Sequence, residues 1–294
     1  MKEVIFLQEE WFFLDSGFND ATINMALDES LLNWLRQGSI PPTLRFYGWS
    51  APSLSVGHFQ DVDQTIDFDA LQKYNGQFVR RLTGGSAVLH DDELTYSLVI
   101  SEQHPSIPKT VGEAYYVLSK GVVEGYKNLG ISVDYAIPKE SARKDRTPVC
   151  FEKPAYYEMV IDGKKISGNA QTRKTGVLLQ HGSIPMSIDT QMLFDLFHYP
   201  SEDVRQRKRK SFADKAITIN QITNKTHSYN MLKEAFFNGF QTGLDIKLQP
   251  FHLSESQWEE VHQLARSKYG AESWNKHNIK KERISHGEAT RTHS

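Results

Sequence analysis

The sequence predicts an α+β (mixed α/β) domain built on a largely antiparallel, mixed sheet flanked by helices. Three observations carry this. First, short runs rich in β-branched and aromatic residues are joined by turn residues, most clearly Asp162-Gly163 between the runs 156–161 and 164 onward. Asp-Gly marks a hairpin because both residues of its turn must accept positive φ. Second, helical patterns separate only some of the strands, so the one-for-one alternation of a doubly wound parallel sheet is missing. Third, neither GxGxxG nor GxxxxGK[ST] occurs, so the common nucleotide-binding folds have no signature here.

The elements follow in order. Trp11-Phe12-Phe13-Leu14-Asp15 reads as a strand. Residues 21–37 read as an amphipathic helix, with Ile23, Leu27, Leu31 and Leu35 one turn apart, Asp20 as N-cap and Gly38 as stop. Residues 43–47, 53–57, 78–81, 87–90 and 94–100 read as strands, with Thr83-Gly84-Gly85-Ser86 as a loop between two of them. Residues 111–129 are a predicted helix ending at Gly130, and 131–135 a strand. Pro138, Pro148 and Pro154 make 136–155 a long loop, a length usually tied to function or motion. If Asp162-Gly163 is a two-residue turn, Lys165 pairs with Val160. Residues 177–180 begin a third strand of the same meander. Residues 190–197, 231–244 and 254–269 are predicted helices, and the polar tail after Trp274 is expected to fray. The basic run Arg205, Arg207, Lys208, Arg209, Lys210 lies between helical regions. It is either a solvated linker or a docking site for an acidic carrier protein. The expected division is a catalytic domain over 1–248 and a C-terminal helix with polar tail over 249–294, packed on it or extending from it.

Composition narrows the function. The 294 residues carry a net charge of −2 and are 39% hydrophobic, enough for a core and no global invitation to nucleic acid or an acidic membrane surface. No run approaches the ~20 apolar residues of a membrane span. The acidic opening Met1-Lys2-Glu3-Val4-Ile5-Phe6-Leu7-Gln8-Glu9-Glu10 does not read as a signal peptide. With a single cysteine, these features imply the reducing cytoplasm. No heptad pattern argues for obligate assembly, so a monomer is expected.

That single cysteine, Cys150, cannot close an intramolecular disulfide. It is either a small apolar side chain or a nucleophile. An unperturbed thiol is only about 3% ionised at pH 7. A lysine ammonium within reach lowers its pKa, and Lys165 is the candidate. The alternative is an unreactive thiol and a surface lysine. In Arg80-Arg81-Leu82-Thr83-Gly84-Gly85-Ser86-Ala87-Val88-Leu89-His90 the paired glycines let backbone amides approach an anion or acyl carbonyl, and the arginines could meet a phosphate. The alternative is an ordinary turn with its arginines in water. Gly168-Asn169-Ala170-Gln171 places a glycine in a strand, which marks either a close ligand approach or a bulge. His90 and His181 could line the same pocket. No HExxH or Cys/His cluster suggests a metal.

Together these segments resemble the lipoate–protein ligase and biotin ligase superfamily. The matching stretches are Asn24-Met25-Ala26-Leu27-Asp28-Glu29, Arg45-Phe46-Tyr47-Gly48-Trp49, Leu54-Ser55-Val56-Gly57, the run from Arg80 to His90, and the run from Gly163 to Gln171. Pro148-Val149-Cys150-Phe151-Glu152-Lys153-Pro154-Ala155-Tyr156-Tyr157-Glu158 further resembles the cysteine-type octanoyltransferase branch. The resemblance implies a biotin/lipoate ligase-like catalytic domain. It implies transfer of an octanoyl group from octanoyl-acyl carrier protein to a lysine of a lipoyl domain, typically the glycine cleavage H protein, through a Cys150 thioester. Lys165 then lowers the Cys150 pKa. Arg80, Arg81, Gly84, Gly85, His90, Gly168 and Asn169 line the acyl pocket. No cofactor is expected beyond the phosphopantetheine carried by the donor. An ATP-dependent lipoate ligase, an amidotransferase drawing on octanoyl-H protein, and a binding protein without turnover are the alternatives.

Overall fold

The computed structural model describes residues 8–136 and 158–276. Its core is a six-stranded mixed sheet made from β1 (Glu9–Asn19), β2 (Thr43–Trp49), β6 (Glu93–Ser101), β10 (Gly168–Lys174), β11 (Val177–Pro185) and β12 (Ile246–Pro250) in the order β10-β11-β6-β2-β1-β12. Pairing is antiparallel from β10 to β2 and parallel between β2, β1 and β12. Two small three-stranded sheets flank it. One is β3 (Ser53–Val56) between β4 (Gln77–Arg80) and β5 (Val88–His90). The other is β8 (Met159–Ile161) between β7 (Asp134–Tyr135) and β9 (Lys164–Lys165).

Side-chain alternation gives the large sheet two faces. Leu44, Phe46, Tyr96, Leu98 and Leu178 pack beneath α3 (Val111–Asn128) and α7 (Tyr229–Leu244). These helices touch backbone to backbone. A Cβ on Gly239 would strike Gly125 N, and one on Gly243 would strike the Lys120 carbonyl. The opposite face carries α1 (Ala21–Arg36), whose Asp20 cap accepts from Ile23 N at 2.9 Å. Behind α1 pack α8 (Glu255–Leu264) and a π-helical turn, Ala265–Tyr269, through Val261, Ala265 and Tyr269. A third cluster lies under β3–β5 and is filled by α2 (Phe68–Lys73), α4 (Thr190–Asp195) and Phe212 of α5 (Glu202–Phe212). The remaining helices are α6 (Ile219–Thr223) and α9 (Glu272–Asn275). Among the described residues no helix is long and apolar enough to cross a membrane.

Most predicted elements appear, with three differences. Asp162 and Gly163 form the expected turn with φ of +50° and +76°, and Lys165 pairs with Val160. The meander then divides. Between β9 and β10 the chain leaves the small sheet at Ile166-Ser167 and joins the large one. The reason is that Ile166 enters the core while Ser167 accepts from Asn169 Nδ2 at 2.8 Å. Second, 205–210 is not a linker but most of helix α5. Ser201 caps it by accepting from Val204 N at 3.3 Å, and Phe212 anchors it. Alternating arginine and lysine are good helix formers, which a count of charges hides. Third, the strand expected over 131–135 shortens to Asp134–Tyr135, because Ile131 turns into the core.

Candidate active site

Lys165 is the one buried lysine among the described residues, 3% exposed, and its ammonium meets the Glu158 carboxylate. Its backbone is clamped on both sides. Lys165 N–H donates to Lys215 O at 2.8 Å, Ile217 N–H donates to Lys165 O at 3.0 Å, and Ala216 bridges it in parallel. The side chain is thus held by the small sheet, the post-α5 segment and a counter-charge. A carboxylate partner orients a buried ammonium. Glu158 was invisible as a partner in the sequence. It is seven residues upstream and becomes a neighbour only through the Asp162-Gly163 turn. Cys150 and its surrounding loop lie outside the described residues.

Three residues on, Gly168 opens β10 opposite Ser183, and Asn169 lies opposite Gly182. Asn169 Oδ1 accepts from Tyr96 OH at 2.9 Å, and Tyr96 OH accepts from Gln180 Nε2 at 3.0 Å. A Cβ on Gly182 would overlap Asn169 Oδ1 and crowd Tyr96 Cε1. The register is regular through 168–174, so Gly168 does not mark a bulge, and the close approach of side chains lies across the ladder at Gly182. Burial pushes the Tyr96 hydroxyl well above its ordinary pKa, so it stays a neutral donor.

The glycine segment is held from behind by Arg81. Its Nη2 donates to Gly84 O at 3.0 Å and Ser86 O at 2.8 Å. Its Nη1 reaches Ser55 O and Ser55 Oγ, each at 3.1 Å, and its Nε reaches Thr83 Oγ1 at 3.2 Å. Two carboxylate–imidazole–hydroxyl chains meet at this guanidinium. In one, His181 Nδ1 donates to Asp28 Oδ2 at 3.1 Å and His181 Nε2 lies 2.7 Å from Thr83 Oγ1. In the other, His90 Nδ1 donates to Glu93 Oε1 at 2.7 Å and His90 Nε2 lies 2.7 Å from Ser55 Oγ. A carboxylate only accepts, so each Nδ1 must carry the proton.

Burial raises the Asp28 carboxyl, but the His181 hydrogen bond and the charge of Arg45, 2.7 Å away, outweigh it and hold it below 3.8. Burial holds His181 below its usual 6.5, with Asp28 opposing in part. His181 is therefore neutral near pH 7, its Nε2 accepts, and Thr83 is the donor.

Arg80 points elsewhere. Its Nη1 donates to the carbonyls of Gly57, His58 and Gln60, at 2.9, 3.1 and 2.8 Å. Its Nε and Nη2 donate to Asn275 O, and Nε also to Trp274 O. Neither arginine faces water: Arg80 is fully buried and Arg81 is 5% exposed. Gly85 has φ of +100°, which requires glycine, whereas a Cβ on Gly84 would meet nothing within 4 Å. Gly57 packs against Gly85 so closely that a Cβ there would overlap Gly85 O. His181, facing Thr83, and Gly182, facing Asn169 and Tyr96, are consecutive on β11 and so point to opposite faces of the large sheet, the first toward α1 and the second toward α3 and α7.

Sequence reasoning missed Asp28, Ser55 and Thr83 as parts of this frame. The one available signal was Asp28-Glu29 within an otherwise apolar helix face. Both acids fall on buried positions, where a charge needs a partner. Among the described residues no group of three His, Cys, Asp or Glu side chains could hold a metal ion.

With this geometry in hand, comparison with known proteins is specific. Residues 20–241 match the family described as the lipoyl protein ligase A/B catalytic domain. The chain is 54% identical over 263 residues to the octanoyltransferase LipM of Oceanobacillus iheyensis, covering 90% of this chain and 96% of that protein. It is 50% identical over 273 residues to the octanoyltransferase LipM of Bacillus subtilis, covering 91% and 98%. Among solved structures, a bipartite lipoate protein ligase from Thermoplasma acidophilum, described with its E2 lipoyl domain, aligns with a TM-score of 0.74 at 25% identity, covering 92% of this chain and 97% of that one. A lipoate-protein ligase A bound with ATP aligns with a TM-score of 0.72 at 23% identity, covering 92% and 99%, a likeness of fold.

Proposed function

This chain belongs to the lipoyl protein ligase A/B catalytic domain family, and we propose that it is an octanoyltransferase that moves an octanoyl group from acyl carrier protein to a lysine of a lipoyl domain. Within that reading the acceptor is the glycine cleavage H protein and the carrier of the acyl group is Cys150. The observation that carries the reading is the buried Lys165–Glu158 pair, placed three residues before the Gly168-Asn169 patch, in a chain that shares about half its residues with octanoyltransferases of nearly equal length.

The chemistry runs in two halves. Cys150 Sγ, as thiolate, attacks the thioester carbonyl of the octanoyl carrier. The C–S bond to pantetheine breaks, and the pantetheine sulfur leaves with the electron pair and takes up a proton. The acceptor amine, as its free base, then attacks the Cys150 thioester, the nitrogen gives up one proton to solvent as the amide forms, and the cysteine sulfur departs as thiolate, so the proton released balances the one taken up by pantetheine. The first half exchanges one thioester for another, so no ATP is consumed. Lys165 supplies the positive charge that favours thiolate, and Glu158 fixes that charge in place. The 84–86 loop, its Gly84 and Ser86 carbonyls held by Arg81, presents backbone amides on which the oxyanion of the tetrahedral intermediate can be stabilised. Arg81 serves by shaping the loop, with His90 bonded to the same Ser55, Arg80 by tying 57–60 to 274–275, and Gly168 and Asn169 by shaping the acyl surface.

Mass spectrometry of the protein mixed with octanoyl carrier protein tests this. An octanoyl adduct on Cys150 is expected, and Cys150→Ser is expected to abolish transfer. Absence of the adduct, or ATP-dependent modification of a lipoyl domain that survives Cys150→Ala, would turn the assignment to a ligase.

A further inference from the structure

Helix α5 is the strongest charged feature outside the site. It carries Arg205, Arg207, Lys208, Arg209 and Lys210 against Glu202 and Asp203, a net +3 on a chain whose total is −2. The two acids lie in its first turn and two of the cations in its last, as the helix dipole favours. Part of the positive charge is used locally. Arg205 lies 2.9 Å from Glu202 and 3.6 Å from Asp195, Arg209 donates to Gln191, and the Lys208 ammonium sits over the Tyr199 ring. Arg207 and Lys210 point outward, one turn apart, and among the described residues neither meets a carboxylate. Only Phe212 of the helix is buried.

The position of this helix gives its charge a meaning. Five residues after Lys210 comes Lys215, whose carbonyl holds the Lys165 amide, and Ala216 forms the bridge to Lys165. Six residues of chain span at most ~22 Å, so Lys210 and the strand partner of Lys165 cannot lie farther apart than that. An extended phosphopantetheine arm is suited to such an offset between a docked carrier and its thioester.

We infer that α5 is the docking surface for the acidic carrier protein that delivers the acyl group, with Arg207 and Lys210 as its contacts. The inference rests on the octanoyltransferase reading for the identity of the donor. Arg207 and Lys210 face the carrier's carboxylates, the arm enters beside the 213–217 segment, and the thioester arrives next to Lys165. Charge complementarity of this kind acts on encounter and orientation and leaves the chemistry alone.

The test pairs Arg207→Glu/Lys210→Glu with Arg36→Glu, an equally exposed charge reversal at the end of α1. Binding of holo-carrier protein is read by fluorescence anisotropy at several salt concentrations. Acyl-enzyme formation is timed with octanoyl carrier protein and, separately, with octanoyl-CoA, which needs no docked carrier. The double variant is expected to weaken carrier binding and raise the carrier KM roughly tenfold or more at low salt, converging on wild type as salt screens the charges. Its turnover with octanoyl-CoA and the behaviour of Arg36→Glu are expected to stay at wild-type levels. Unchanged carrier binding overturns the inference. So does a loss confined to the half-reaction with the lipoyl acceptor, which would give α5 to the acceptor. Carrier that binds wild type through α5 without transferring its acyl group leaves the docking surface standing and sinks the octanoyltransferase reading instead.

Discussion

The ammonium of Lys165 is locked onto the carboxylate of Glu158, its neighbour across the β8–β9 hairpin, with both side chains under 10% exposed. Removing one member of a buried pair takes the counter-charge from the other, which costs about 3–5 kcal/mol. Lys165→Met is therefore expected to lose both stability and acyl transfer. The double variant Lys165→Met/Glu158→Gln is expected to recover most of the stability and none of the transfer. Urea unfolding and acyl-enzyme formation measured on the same samples separate the two effects. Transfer regained by the double variant would assign Lys165 to the fold alone.

The three glycines around the loop are expected to behave differently. Gly85→Ala forces a side chain to φ of +100°, and Gly57→Ala drives a methyl into Gly85 O. Each is expected to cost at least about 1–2 kcal/mol. Gly84→Ala meets nothing and is expected to stay within about 0.5 kcal/mol of wild type. A fall in acyl transfer on Gly84→Ala at unchanged thermal stability would then report directly on ligand approach. Equal destabilisation at Gly84 and Gly85 would contradict the described loop.

His181 gives the fold an acid sensitivity. Its folded pKa lies below the unfolded 6.5, so the unfolded chain takes up the proton first. Its contribution is fully present above pH 6.5 and is lost as pH falls from there through the folded value. Asp28 follows the same sign in a lower window, below its ordinary 3.8. Urea midpoints between pH 7.5 and 5 are expected to decline in wild type and to decline less in His181→Gln. Parallel curves for the two proteins would remove His181 from the account.

Thr83 joins two buried groups through one hydroxyl, accepting from Arg81 Nε and donating to His181 Nε2. Thr83→Val keeps the shape, takes the donor from His181 Nε2 and removes one acceptor from Arg81, at about 1–3 kcal/mol. Thr83→Ser keeps the hydroxyl and is expected to restore most of that loss. Differential scanning calorimetry of the pair makes the comparison, and similar behaviour of the two variants would show that the hydroxyl is immaterial.

Much of the fold could be read along the chain, because periodicity and turn chemistry are local. The Asp20 cap, the Gly130 stop and the Asp162-Gly163 turn each involve residues within a few positions of one another, and each stands where it was expected. The pairing of Lys165 with Val160 followed from turn length alone. The supports of the site were illegible for the opposite reason. Thr83 and His181 are 98 residues apart, and Asp28 and His181 are 153 apart. Nothing in the local pattern distinguishes Arg81, which carries the glycine loop, from Arg80, which ties down 57–60 and 274–275. Helix α5 was obscured by its own charge, since no apolar stripe announces it and Phe212 alone secures it.

Arg80 draws its carbonyl partners from residues 57–60 on one side and from 274 and 275 on the other, the latter 194 and 195 positions further along the chain. A ribosome adding about 5–20 residues per second makes the motif strand roughly 10–40 s before it makes those last two acceptors. Through that interval the guanidinium has only the 57–60 half of its cradle. The tie between the 57–60 segment and residues 274–275 is therefore the part of Arg80's cradle that forms last during synthesis.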